Sequence, residues 1–441
     1  MMVVFLLALT TMILAAALWA RRMRPVGSHI SLVEVFILGH LYFFVFCAAT
    51  SDFHWSGAEM RDLWPLAPFL GVVFLGVCIG AWIVRMIPGR REMPHVKEIE
   101  DERAPETIRL LLLSALFLGV TAISLMEHPR SPLELIQLHY WERVFDPSHR
   151  VPFFLLNGLS IVPVALLGAR VVRSGRAASR ATVVLFLLAT AIHVLIGVVT
   201  GARNRILYAI VAIGYLWYLG ASRRSRKYAI AACAIALPTF VFLSYPWRVY
   251  RDTGDLSEAI YAGKTASWYE EWTDDPTNNA VDFCLLSMSH YPHMGRWRGW
   301  DGIVGVVGWL IPRRIWPGKP LGYGNVMWMD VIGNTSAIGV GPTFLGEFYV
   351  CAGAWGLFPI SLCFGFVLAL SQRLICRFAS PLDYYALYAC LAYASFIVVR
   401  GDFTSTFGRT FMLILPAYFG LNWIATQVSR VLVYSNNARC P

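Results

Sequence analysis

Runs of about twenty apolar residues recur along the 441-residue chain, and they constrain its fold more than any other feature. Each run is long enough to cross about 30 Å of hydrocarbon as an α-helix. Apolar residues make up 57% of the chain and charged residues 15%, which is more apolar surface than a soluble domain can bury. The runs are uniformly apolar rather than alternating, so they predict helices and not barrel strands. We therefore expect an all-α polytopic membrane protein.

The apolar runs predict eleven transmembrane helices, near residues 2–20, 31–49, 63–84, 110–126, 152–169, 182–200, 206–220, 228–246, 346–371, 382–399 and 410–428. The first run lacks a basic residue before it and is followed by Arg21, Arg22 and Arg24. This order predicts a retained anchor with its N-terminus outside. Every second loop is then cytoplasmic, and these loops hold more than half of the 37 Lys and Arg residues. The predicted topology is N-out and C-in.

The longest hydrophilic stretch divides the predicted chain into three parts. Residues 1–246 hold transmembrane helices 1–8, residues 247–345 form one large outward-facing loop with short interfacial helices, and residues 346–441 hold helices 9–11 and a short cytoplasmic tail. The apolar piece 302–311 is too short to span, so we expect it to lie at the interface or to re-enter. Residues 127–151 predict a short amphipathic helix on the membrane face.

The outward-facing side is unusually basic, because positive charge normally collects in cytoplasmic loops. The segment 247–349 carries Arg248, Arg251, Arg296, Arg298, Arg313, Arg314 and Lys319. Guanidinium groups hold phosphate with paired hydrogen bonds and keep their charge. We expect a set of basic residues to converge on a pyrophosphate at the outer bilayer surface: Arg203, Arg205, Arg248, Arg251, Arg313, Arg314, Lys319, Arg400 and Arg409. For any one arginine alone, contact with lipid headgroups or a nearby Asp explains the position better.

An enzyme would also need an acid or a base. Glu347 stands at the start of the ninth predicted span, where burial in the membrane is typical of functional carboxylates. His290, His293 and Asp402 are further candidates. The same position suits a carboxylate that only caps the helix through exposed backbone N–H groups.

Neither a metal nor another cofactor is expected. The pair His290 and His293 has a possible ligand spacing, but a third and a fourth ligand are not evident nearby in the sequence. The nine cysteines lie mostly inside apolar spans and form no CxxC motif, which indicates core residues. The net charge of +10 reflects loops that face lipid and phosphate, so nucleic acid is not an expected partner.

Several motifs occur in a fixed order. They are Gly201-Ala-Arg203, then Ile311-Pro-Arg313-Arg314 followed by Lys319-Pro320, then Thr343-Phe-Leu-Gly-Glu347-Phe-Tyr349, and finally Arg400-Gly-Asp402. Together they resemble bacterial oligosaccharide repeat-unit polymerases of the Wzy type, which make O-antigen and exopolysaccharide. The resemblance covers roughly the C-terminal 60% of the chain, and the first four spans match only in hydropathy. Tyr349 ends the third motif and joins the candidate substrate-binding residues.

The resemblance implies polymerisation at the outer, periplasmic face of the bacterial cytoplasmic membrane. A glycan on undecaprenyl pyrophosphate would be the donor, and a hydroxyl of a second lipid-linked repeat unit would attack its anomeric carbon. Undecaprenyl pyrophosphate would leave, with arginines stabilising its charge. Membrane lipids, a flippase and a chain-length regulator are the other expected partners.

Three other functions fit the same sequence features. An O-antigen ligase would use the same donor with a lipid-A-core acceptor. A transporter or flippase of lipid-linked sugars is a different class, typically with two matching halves and charges inside the spans. The halves of this chain differ and its polar residues gather in one outer loop, which favours an enzyme. A non-catalytic scaffold would need neither Glu347 nor the arginines.

Overall fold

The structure analysed is a computed structural model of the chain. It describes residues 2–22, 30–50, 56, 63–88, 104–126, 160–174, 179–199, 213–214, 246, 249–250, 253, 255–265, 280–294, 298–308, 311, 315–331, 341–378, 381–401, 403, 407 and 414–437.

All regular secondary structure in those ranges is helical, which confirms the all-α prediction. The helices are Met2–Arg22, Leu32–His40 with the π-helical turn Leu41–Phe46 and Cys47–Thr50, Leu66–Met86, Ala104–Met126, Ile161–Ser174, Arg180–Val199, Leu256–Thr265, Ala280–Met294, Asp301–Val307, Tyr323–Val331, Thr343–Phe378, Pro381–Ile397 and Leu415–Asn437. They coincide with nine of the eleven predicted spans. The spans near 206–220 and 228–246 lie almost wholly outside the described residues, as does the predicted amphipathic helix at 127–151.

Three of the described helices are long and apolar enough to cross a membrane, namely Val4–Arg22, Leu66–Met86 and Thr343–Arg377. Four shorter apolar helices accompany them, at Leu32–Val45, Ile108–Gly119, Ile161–Val172 and Arg180–Ile196. These lengths and compositions are typical of a membrane protein. The short apolar piece predicted at 302–311 corresponds to the Asp301–Val307 helix.

The chain forms two compact units that each use separate stretches of sequence. The first unit comprises Met1–Met93, Ala266–Phe378 and Leu391–Met412. The second comprises Pro94–Thr265, Ala379–Cys390 and Leu413–Pro441.

In the first unit, the Leu66–Met86 helix packs closely along the long helix, Thr343–Phe378. A Cβ atom at Gly76 would lie 2.9 Å from the Phe358 carbonyl oxygen. Added Cβ atoms at Gly80 and Gly365 would overlap the backbones of Leu362 and Val77. Small residues of this kind let two membrane helices approach until their backbones touch.

Side-chain hydrogen bonds hold this helix pair together in addition to the backbone contact. At one end the Arg373 guanidinium donates to three carbonyls that end the Leu66–Met86 helix, those of Val84 (2.9 Å), Ile87 (2.8 Å) and Pro88 (2.7 Å). A helix leaves its last carbonyls unpaired, and a cation at that position also complements the helix dipole. The arginine therefore fixes where the two helices end relative to each other.

An aromatic core joins the Leu32–His40 helix to the long helix. The Phe36 ring lies 5.2 Å from Phe344 and 5.0 Å from Phe364, with both pairs edge to face. The Leu32–His40 helix begins at a capping box, in which Glu34 Oε2 accepts from the Ser31 N–H at 2.7 Å and the Glu34 N–H donates to Ser31 Oγ at 3.1 Å. This cap satisfies two backbone donors in a buried environment.

The second unit contains a buried ion pair between two helices. Arg109, on the Ala104–Met126 helix, lies 2.9 Å from the Asp383 carboxylate at the start of Pro381–Ile397. The same guanidinium donates to the amide oxygen of Asn422, on Leu415–Asn437. A second polar contact, 2.8 Å long, joins Ser160 Oγ to His193 Nδ1. Polar contacts of this kind fix which helices of a bundle are neighbours.

The close backbone approach at Gly80 predicts that replacement of glycine by alanine lowers stability there and not at Gly71. Gly80→Ala would force the Leu66–Met86 helix away from the long helix and lower stability by about 1–3 kcal/mol. Gly71→Ala is the matched control, because its Cβ would meet only Met12 Sδ, at an ordinary 3.7 Å. The thermal unfolding midpoint of the purified protein in detergent measures both. Equal midpoints for the two variants would contradict the packing argument.

The buried ion pair predicts that removing one charge is worse than removing both. Asp383→Leu leaves a buried guanidinium without its carboxylate and should cost about 3–5 kcal/mol. The double variant Arg109→Met, Asp383→Leu leaves no unpaired charge and should recover most of that loss. The same thermal measurement checks this order of stabilities. A double variant no more stable than the single one would refute it.

Candidate functional site

The candidate site is built around the start of the long helix, which is held against the turn after Pro381–Ile397. The Thr343 N–H donates to the Arg400 carbonyl at 3.1 Å, and the Phe344 N–H donates to the Val399 carbonyl at 3.2 Å. Thr343 Oγ1 accepts from the Gly346 N–H at 3.1 Å. These three bonds satisfy N–H groups that a helix otherwise leaves unpaired at its beginning.

Backbone geometry at this junction is tight. Thr343 has a backbone φ of 65°, a conformation that residues other than glycine rarely adopt. A Cβ atom at Gly341 would lie 2.6 Å from the Arg400 carbonyl oxygen. The junction therefore tolerates little change in either segment, which fixes the position of the residues that follow Thr343.

Glu347 lies in the second turn of the long helix and is fully buried. Its Oε2 accepts a hydrogen bond of 2.6 Å from the Phe403 backbone N–H. A Cβ atom at Gly302 would lie 3.4 Å from the other carboxylate oxygen, Oε1. The carboxylate thus lies between the Asp301–Val307 helix and Phe403, and a glycine at 302 leaves room for it.

Three charged groups lie within electrostatic range of Cys351, one turn further along the long helix. They are Glu347, Arg298 and Asp301. The Arg298 N–H donates to the Val350 carbonyl at 3.1 Å. The site therefore combines a buried carboxylate with a cation and a second acid.

Within the described part of the chain, the Arg298 guanidinium contacts Leu321 and Tyr323. Its Nη2 donates to the Leu321 carbonyl at 2.8 Å, and its Cζ lies 5.5 Å from the centre of the Tyr323 ring. Its Nη1 is buried and has no hydrogen-bond partner within the described part of the chain. An unsatisfied buried N–H is costly, so this position of the guanidinium carries a cost in free energy.

An apolar cavity of about 530 Å³ adjoins these residues. Its walls include Trp300, Phe348, Cys351, Phe364, Phe403 and Phe407. Phe348 and Cys351 flank Glu347 on the long helix, and Phe403 donates its N–H to the carboxylate. Three wall residues therefore neighbour Glu347 along the helix or through a hydrogen bond, while Glu347 itself lies behind the wall.

The structure describes four other candidates from the sequence. Arg400 is half-buried in the turn that receives the long helix, and the Tyr349 ring packs edge to face on Phe69 at 5.5 Å. Lys319 Nζ donates to the Ile311 carbonyl at 3.2 Å, and His290 is half-buried on the Ala280–Met294 helix. Of these four, Arg400 contacts the start of the helix that carries Glu347.

The remaining candidates lie outside the described residues: Arg203, Arg205, Arg248, Arg251, Arg313, Arg314, Asp402 and Arg409. His293 has helical backbone, and its side chain lies outside the description. In the described ranges, no group of three or more His, Cys, Asp or Glu side chains is arranged to hold a metal ion.

Sequence reasoning did not single out Arg298, although it placed this residue in the basic segment. Nothing in the sequence separates Arg298 from Arg296, two positions earlier. Its contacts with Leu321, Tyr323 and Val350, which the structure shows, are what draw attention to Arg298.

Comparison with known proteins adds no assignment to this geometry. No family model, curated protein or solved structure matches the chain.

Proposed function

We propose that the chain is a membrane-embedded glycosyltransferase that polymerises undecaprenyl-pyrophosphate-linked oligosaccharide repeat units into O-antigen or exopolysaccharide. One observation carries the proposal, the full burial of Glu347 in a helix apolar enough to cross a membrane. Burying a carboxylate costs several kcal/mol, so such groups inside membrane segments are usually functional. Arg298 and the ordered motifs of the sequence support the same conclusion.

The proposed reaction uses Glu347 as the general base. A hydroxyl of the acceptor repeat unit attacks the anomeric carbon of the donor glycan, and Glu347 takes the hydroxyl proton. The new carbon–oxygen bond replaces the bond to pyrophosphate, which leaves with its electron pair. Arg298 and the outward-facing arginines stabilise the charge that develops on the leaving group. His290, His293 and Asp402 remain alternative candidates for the proton transfer.

The proposal includes a location and a topology. Eleven membrane spans with an outside N-terminus put the segment 247–345 on the periplasmic side of the cytoplasmic membrane. Lipid-linked oligosaccharides are the substrates there, and a flippase and a chain-length regulator are candidate partners. The reaction needs no metal in principle, because the pyrophosphate leaving group is already activated.

A flippase of lipid-linked sugars is the second candidate, and one observation favours it. Arg109 and Asp383 form a buried ion pair between helices of the second unit. Paired charges inside membrane segments are typical of transport pathways. An O-antigen ligase uses the same chemistry with a different acceptor. The product that is formed, and not the geometry of the site, therefore distinguishes a ligase from a polymerase.

Gel analysis of envelope polysaccharide in a deletion strain distinguishes these functions. A polymerase predicts that the strain retains single-repeat product and loses long chains. Free lipid-linked polymer without attachment would identify a ligase instead. Substrate that accumulates on the inner leaflet would identify a flippase.

Glu347→Gln should reduce long-chain product by about 10²–10⁴-fold, the usual contribution of general acid–base catalysis. The amide oxygen of Gln still accepts the Phe403 N–H, so the protein should insert and reach normal levels. Glu34→Gln is the matched control, because Glu34 is also buried in the first unit and accepts a backbone N–H, from Ser31. Complementation of the deletion strain measures both. Normal chain lengths with Glu347→Gln would remove this residue from the mechanism.

Arg203→Ala and Arg313→Ala should each abolish long-chain product while the protein still inserts. The expected cause is lost stabilisation of the departing pyrophosphate. Arg180→Ala, in a predicted cytoplasmic loop, is the control that should leave chain length unchanged. Complementation with immunoblotting of the membrane fraction checks all three. Normal chain lengths in the first two variants at normal protein level would contradict their assignment to the site.

A further inference from the structure

We propose that the short helix Asp301–Val307 is a movable cover over Glu347, which has to rotate away before a substrate can reach the carboxylate. We call it the cover helix. Its role in catalysis rests on the proposed function, whereas its movement is tested by a measurement that does not depend on that function.

Glu347 is closed off in this structure. Its side chain has no exposed surface, and both carboxylate oxygens meet protein. The Phe403 N–H donates to Oε2 at 2.6 Å, and a Cβ atom at Gly302 would lie 3.4 Å from Oε1. A general base has to come within about 2.6–3.2 Å of the atom that gives up the proton. One wall around Glu347 therefore has to move before the carboxylate can act on a hydroxyl.

Two of the walls around Glu347 are firmly held. On one side, the Phe403 ring stacks on Phe407 at 4.7 Å and lies edge to face with Phe348 at 4.7 Å. On another side, a Cβ atom at Gly346 would lie 3.3 Å from the Cα atom of Cys284 on the Ala280–Met294 helix. Elements packed this closely cannot shift without the loss of many contacts.

The cover helix is held less firmly. It has seven residues, and a helix this short depends on packing for its stability. Asp301 and Val304 are exposed, and Trp300, which precedes the helix, is 72% exposed. Tryptophan has no acceptor that could cap the first N–H groups of the helix. Few contacts are therefore lost when this helix turns.

The chain is anchored on both sides of the cover helix. Before it, the Arg298 N–H donates to the Val350 carbonyl at 3.1 Å. After it, the Ile311 N–H donates to the Gly308 carbonyl at 2.9 Å, and the Trp316 ring lies against Gly308. The cover helix can therefore rotate between two fixed ends while the neighbouring chain stays in place.

Gly299 joins the anchor at Arg298 to the cover helix. It has a backbone φ of 56°, and a Cβ atom there would meet no atom within 4 Å among the described residues. Glycine accepts large changes in φ and ψ at low cost, as a hinge requires. We place the hinge at Gly299, three residues before the Gly302 that faces the carboxylate.

The apolar cavity gives the cover helix room to move. Trp300 and the cover-helix residues Ile303 and Val306 line it on one side, and Phe348 and Cys351 line it on the long helix. Protein interiors are packed as densely as organic crystals, so a helix moves most readily where space already exists. The volume of about 530 Å³ lies against the one wall of Glu347 that is weakly held.

A disulfide bond can lock the cover helix. Gly302→Cys places a thiol beside Cys351, because a Cβ atom at 302 would lie 3.3 Å from Cys351 Sγ. Once the intact mass shows that the bond has formed, labelling of Glu347 by dicyclohexylcarbodiimide, an apolar reagent for carboxyl groups, should fall at least tenfold. Reduction of the purified full-length variant should restore labelling, read by peptide mass spectrometry. Equal labelling of oxidised and reduced protein would overturn the proposal.

Two controls separate the lock from other effects of oxidation. The double variant Gly302→Cys, Cys351→Ala cannot form the bond, so oxidation should leave its labelling of Glu347 unchanged. Glu34 is also buried in the first unit but belongs to the capping box with Ser31, so the lock should not change its labelling. Protection of Glu347 in the double variant, or equal protection of Glu34, would mean that the cover helix does not control access.

Gly299→Ala tests the hinge without a disulfide. Alanine disfavours a φ of 56°, so the closed position should lose stability and labelling of Glu347 should rise roughly fivefold. Gly318→Ala is the matched control, because a Cβ atom there also meets no described atom within 4 Å and Gly318 lacks the positive φ. Unchanged labelling in Gly299→Ala, or an equal rise in both variants, would contradict the hinge.

The same lock separates this inference from the proposed function. In the complemented deletion strain, the locked variant should lose long-chain product, and a reductant in the medium should restore it. Protection of Glu347 by the lock, in a protein whose deletion leaves chain length normal, would support the cover helix and refute the polymerase. Normal long chains from the locked variant, in a strain whose deletion abolishes them, would refute the cover helix and leave the polymerase standing.

Discussion

The junction between the start of the long helix and the segment 399–403 is the contact on which the rest of the site depends. Two helix N–H groups, those of Thr343 and Phe344, donate to the carbonyls of Arg400 and Val399. In return the Phe403 N–H donates to the Glu347 carboxylate. These groups are buried, so each backbone donor needs a partner in the protein. The reciprocal bonds explain why a costly carboxylate is held in this position.

The long helix contacts a glycine-lined partner along part of its length and borders an apolar cavity elsewhere. Gly76, Gly80 and Gly365 bring the Leu66–Met86 helix against the long helix, so one side of the long helix is occupied by backbone. The break at Gly353 turns the helix at its other side, where Phe348 and Phe403 stand 4.7 Å apart. An apolar space with a buried carboxylate behind its wall is found there.

Much of the fold follows from hydropathy, and part of the site follows from charge. The predicted spans near 63–84 and 346–371 coincide with the Leu66–Met86 and Thr343–Phe378 helices, because a long apolar run leaves a membrane chain few alternatives. Glu347 was identified from the sequence as an acid at a helix start, and it is buried. Its partner Phe403 could not have been found in this way, because any residue carries a backbone N–H.

The sequence by itself determined that the chain is helical and apolar enough to enter a membrane, and that most of its arginines lie between the long apolar runs. Those properties depend on which residue types follow one another along the chain, so they can be predicted from the sequence. The tertiary structure decided that Glu347 meets Phe403, that Arg298 lies over the Tyr323 ring, and that a cavity opens beside Gly353. Each of these three features depends on a contact between residues that are distant in sequence or on a break in a helix. Contacts and breaks of this kind leave no periodic pattern in the sequence.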